Sequence, residues 1–75
     1  REAKRKLGYK EQRELEQLPG RIERLEAELE TRTAAMNDPA FFQQSGAAIA
    51  AANTALAELQ AELDAAYARW AELDG

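Results

Sequence analysis

The 75-residue sequence contains neither cysteine nor histidine. These absences remove disulfide staples, thiolate and imidazole zinc sites, and the usual general base at neutral pH. Ser45 is the only serine and has no base to activate it, and the four glycines are too scattered to form a phosphate-cradling loop. No apolar run approaches the roughly 18 residues of a membrane span, and no signal-type hydrophobic segment opens the chain. The carboxylates are spread along the sequence rather than clustered as metal ligands. No catalytic site, metal site or cofactor is expected in this chain, which reads as a non-enzymatic, cytoplasmic element. It begins with Arg1 rather than Met, as a piece of a longer protein would.

What is present is heptad spacing. Leu15, Leu18, Ile22, Leu25, Leu29 and Met36 recur in steps of three and four, with Arg32 the one charged residue at a seam position. A second seam carries Ile49, Leu56, Leu63 and Trp70, with Ala52, Leu59, Ala66 and Leu73 at the companion positions. The fold class is therefore all-α: an intramolecular antiparallel two-helix coiled-coil hairpin. Residues 1–8 read as a basic flexible linker and residues 9–75 as the hairpin, with helices at about 9–18, 20–36 and 47–73 and a loop at 37–46. Pro19 removes a backbone donor and biases Leu18 away from helical dihedrals. The first helix is thus kinked or broken there, and a break is the stronger expectation. Asp38-Pro39 suits the start of a short turn, since Asp is a good cap and Pro fits a first helical position. Phe41 and Phe42 follow, to plug the end of the pair or to meet a partner.

One register pairs Met36 with Ala52, Arg32 with Leu56, Leu29 with Leu59, Leu25 with Leu63, Ile22 with Ala66 and Leu18 with Trp70. A slide by one heptad competes with it. A monomer is expected, with a weak dimer open to so lean a seam.

The net charge of −4 is unevenly placed. Residues 1–13 hold six basic and two acidic side chains, and the rest of the chain holds four and twelve. Lys4, Arg5, Lys6, Lys10 and Arg13 are accordingly the candidate nucleic-acid contacts, able to neutralise phosphates without reading bases.

Three segments, Tyr9-Lys10-Glu11-Gln12-Arg13-Glu14-Leu15-Glu16-Gln17-Leu18-Pro19, Asn37-Asp38-Pro39-Ala40-Phe41-Phe42 and Ala66-Tyr67-Ala68-Arg69-Trp70-Ala71-Glu72-Leu73, carry a resemblance. In this order and spacing the chain resembles the C-terminal domain of Uup-type ABC-F ATPases over nearly its whole length. Gly8 departs from the Ser expected before Tyr9, which would loosen the helix start. The resemblance implies a parent ATPase that uses ATP and Mg, with no membrane span. It also implies a C-terminal domain that follows the second ATP-binding cassette through a basic linker and binds DNA. The alternative it carries is a docking module that positions the ATPase on the ribosome, on RNA or on a protein partner.

Overall fold

The computed structural model describes residues 8–74. Two helices, α1 (Tyr9–Met36) and α2 (Gly46–Asp74), are joined by a short 3₁₀ turn, Pro39–Gln43. They pack as an antiparallel helical hairpin with extents of 58 × 17 × 17 Å.

Pro19 does not interrupt α1, which runs unbroken through it. The expected division into helices at 9–18 and 20–36 is corrected to a single helix. Leu18 and Ile22 flank the proline, and both are 4% exposed against α2. Packing on each side of the lesion outweighs the local preference for a stop. Pro19 itself is exposed, so the Leu15 carbonyl that loses its donor lies on the wet side of the helix.

Each helix start has a local cause. The Gly8 N–H donates to Glu11 Oε1 at 3.0 Å, half of the reciprocal cap that a Ser at position 8 would complete. At the turn, the Ala40 N–H donates to Asp38 Oδ1 at 2.9 Å and Pro39 occupies the first turn position, as the Asp-Pro pair predicts. The Ala48 N–H donates to Ser45 Oγ at 3.1 Å, so the lone serine caps α2.

Three cross-helix contacts fix the register. Glu14 meets Arg69 and Arg21 meets Glu62 on one side of the seam, and Tyr67 meets Glu26 on the other. The register that sets Leu25 against Leu63 and Leu29 against Leu59 satisfies all three, whereas a one-heptad slide would set Glu14 against Glu62. The core comprises Leu18, Ile22, Leu25, Leu59, Leu63, Ala66 and Leu73, with Leu15, Leu29 and Trp70 packed against it. It occupies the end of the hairpin where the chain enters and leaves. Towards the turn, Arg32 is exposed and Met36, Ile49, Ala52 and Leu56 are only half-buried. Phe41 closes the turn end at 8% exposure, whereas Phe42 is 68% exposed. The two rings stand edge to face, 5.2 Å apart.

Candidate nucleic-acid interface

Of the five predicted contacts, Lys4, Arg5 and Lys6 lie outside the described residues. Lys10 and Arg13 are exposed in the first turns of α1. Arg13 Nη1–H donates to the Tyr9 hydroxyl at 3.0 Å, and its guanidinium lies 5.7 Å from the centre of the Tyr9 ring. Arg13 thus fixes the ring through both its hydroxyl and its π face, and Tyr9 remains 72% exposed.

Helical geometry gathers further cations that a reading along the chain misses. At about 100° per residue, Lys10, Arg13, Gln17, Gly20, Arg21 and Arg24 share an outward band on α1, with Tyr9 at its edge. No carboxylate falls within this band between residues 9 and 24; Glu16 and Glu23 lie on one flank, and Glu14, bonded to Arg69, lies on the other. From Lys10 to Arg24 the ridge is about 21 Å long at 1.5 Å per residue. Among the described residues, Lys10 and Arg24 have no ion-pair partner. Arg24 folds back over Gly20, where a β-carbon would lie 3.7 Å from its Nη1. Arg21 Nη2 stands 3.9 Å from Glu62 Oε1, with both side chains more than half exposed, so it is loosely held. The signal for Arg21 and Arg24 was the 3.6-residue period applied to charge as well as to leucine.

The two remaining described cations are committed elsewhere. Arg69 grips Glu14 with two parallel bonds, Nε–Oε2 at 2.8 Å and Nη2–Oε1 at 3.0 Å, and reaches Glu72 Oε1 with Nη1 at 3.1 Å. Hydrogen bonding from Arg69 holds the Glu14 carboxyl below the usual carboxylate range against the opposing effect of desolvation. The same bonds, with that to Glu72, raise the Arg69 guanidinium. Arg32 pairs with Glu28 at 3.1 Å. Glu28 serves Arg32, and Arg24 stays with the ridge. Across the seam, Tyr67 donates its hydroxyl proton to Glu26, which pushes the phenol pKa up. The Glu14–Arg69 and Glu26–Tyr67 contacts clamp the helices together, and none of these paired groups offers a free cation to an anion.

Among the described residues no group of three or more acidic side chains could hold a metal ion. Among the described residues no helix is long and apolar enough to cross a membrane. A groove beside the seam, lined by Leu29, Thr33, Ala34 and Leu63, is rimmed by Glu26 and Glu30 and so repels phosphate.

The chain matches the family model described as ABC transporter C-terminal domain over residues 6–74. It is 54% identical over 69 residues to "ATP-binding protein Uup-like" of Haemophilus influenzae, covering 92% of this chain and 15% of that protein. It is 52% identical to "ATP-binding protein Uup" of the same organism and 42% identical to "ATP-binding protein Uup" of Escherichia coli. Each of these alignments covers 92% of this chain and 11% of the relative. No solved structure matches. The chain thus spans about 11–15% of its relatives' length, and it belongs to the ABC transporter C-terminal domain family as a Uup-type ABC-F C-terminal domain.

Proposed function

We propose that this hairpin is the nucleic-acid-binding appendage of an ATP-hydrolysing ABC-F protein, and that it binds DNA without strong sequence preference. ATP and Mg belong to the parent's cassettes, and the hairpin performs no chemistry of its own. The observation that carries the reading is the segregation of charge. Lys10, Arg13, Arg21 and Arg24 share one outward face, Arg21 with only a loose 3.9 Å bridge to Glu62, while the other described cations, Arg32 and Arg69, are held closely by carboxylates. Lys4, Arg5 and Lys6 precede that face in the sequence and extend the basic character. Lys and Arg on a convex helical rod touch phosphates and reach no base edge, so affinity is modest, sequence-tolerant and salt-dependent.

Titration of duplex DNA at several salt concentrations tests this. Each phosphate neutralised contributes about 0.9 to the slope of log affinity against log salt. Replacing Lys4, Arg5 and Lys6 together by Ala should reduce that slope by up to about 2.7. An unchanged slope and affinity would remove the basic arm from the reading.

A second reading, docking onto the ribosome or a protein partner, rests on Phe42, which leaves a large aromatic ring at the turn 68% exposed. The two readings separate by position. Phe42→Ala should leave DNA affinity alone and weaken only a partner held by the tip.

A further inference from the structure

The proposal above leaves open which form of nucleic acid the ridge accepts, and this further step rests on it. We infer that the outer face of α1 is a track for single-stranded nucleic acid, with Tyr9 as the platform on which an unpaired base stacks. The ridge measures about 21 Å from Lys10 to Arg24, the length of about six phosphates of one stacked strand. Tyr9 stands at the end of the ridge nearest the basic arm. Its ring is 72% exposed, and its orientation is held by the Arg13 hydrogen bond and the guanidinium at 5.7 Å. An exposed tyrosine fixed by an arginine, one residue before a lysine with no ion-pair partner among the described residues, combines the two parts that sequence-tolerant single-strand binding needs. These are an aromatic face for a base and cations for the backbone.

Charge around the ridge argues for one strand over two. Duplex DNA carries one charge per about 1.7 Å of axis, twice the density of a single strand. Glu16 and Glu23 flank the ridge and are exposed, so a second strand laid over that flank would meet carboxylates. A narrow cationic band with acidic shoulders therefore accommodates one backbone and repels the next. In a paired helix the bases are also stacked on one another and cannot reach Tyr9.

The test compares a short oligothymidylate with a blunt duplex of equal length on the 75-residue chain at fixed low salt. Tyr9→Leu should weaken the oligothymidylate roughly fivefold or more and lower its preference over the duplex, and Tyr9→Trp should restore it. Arg24→Gln should lower the single-strand salt slope by about 0.7. Far-UV circular dichroism verifies that each variant remains helical. A duplex preferred over the single strand, or a Tyr9→Leu variant with an unaltered preference, overturns the inference while leaving the DNA-binding reading standing. Failure to bind either ligand at low salt overturns both.

Discussion

Truncating Leu63 is the most direct test of how this hairpin is held together. Leu63 is 6% exposed and faces Leu25 in the middle of the core. Leu→Ala at a buried site costs about 2–5 kcal/mol, the spread reflecting how far the surroundings collapse into the gap. Among the described residues no large side chain falls below 2% exposure, so neighbours can move inward and the low end applies, about 2–3 kcal/mol. A 75-residue chain has about 4–11 kcal/mol in all. One truncation therefore removes a large share. With a urea dependence of about 1 kcal/mol per molar for so small a fold, the midpoint should fall by about 2–3 M. The assay is urea unfolding followed by far-UV circular dichroism, with Leu56→Ala as comparison. Leu56 is a leucine in the same seam, yet it is half-buried and sits opposite Arg32. Its truncation should cost less than half as much. Equal losses at the two sites, or a Leu63→Ala midpoint within about 1 M of the parent, would refute the register and the uneven core together.

Three further outcomes follow from particular contacts. Because Arg69 depresses the Glu14 carboxyl, that pair stabilises the fold above the ordinary carboxylate value of 4.5 and is lost as pH falls through the lower folded value; urea midpoints at acid and neutral pH should differ less in Arg69→Gln than in the parent. Arg32→Leu fills the charged seam position opposite Leu56 and should raise stability by about 1–2 kcal/mol, read in the same unfolding assay; a lowered midpoint would mean that the Glu28 pair outweighs the missing apolar contact. Phe41→Ala should cost about 3 kcal/mol and Phe42→Ala close to nothing, and thermal melts of the two variants would distinguish the plug from the exposed ring.

Much of this architecture was legible in the residues themselves. The two seams and their antiparallel pairing follow from leucines spaced by three and four, because a buried stripe on a helix leaves that period in the sequence; the same period admits a one-heptad slide, and only the Glu14–Arg69, Arg21–Glu62 and Glu26–Tyr67 contacts across the seam decide the register. Asp38-Pro39 announced the turn through capping chemistry that acts over two or three residues. Pro19 shows where local reasoning stops. Its preference for a break is real, but it competes with Leu18 and Ile22 packed on either side, and only the assembled pair reveals which prevails. The fates of Phe41 and Phe42 depend on which way a single 3₁₀ turn faces, which adjacent identical residues cannot encode. The candidate interface was half visible. Lys10 and Arg13 stood out in a basic run, whereas Arg21 and Arg24 sit among glutamates in the sequence and separate from them only around the helix. The Glu14–Arg69 grip joins residues 55 positions apart, and no local pattern could pair them.

The uneven distribution of the core has a dynamic consequence. A helical hairpin is usually expected to unzip from its free ends, since the connecting loop tethers the other. Here the seven buried core residues run from the middle of the hairpin towards the free ends, where the doubly bonded arginine sits, and the tethered end rests on alanines, half-buried Met36, Ile49 and Leu56, a solvated arginine and one phenylalanine. Amide exchange should therefore be fastest around residues 32–36 and 47–56 and slowest around 22–25 and 59–66. A partner seizing the turn would meet a pliant tip, while the opposite end of the hairpin stays closed.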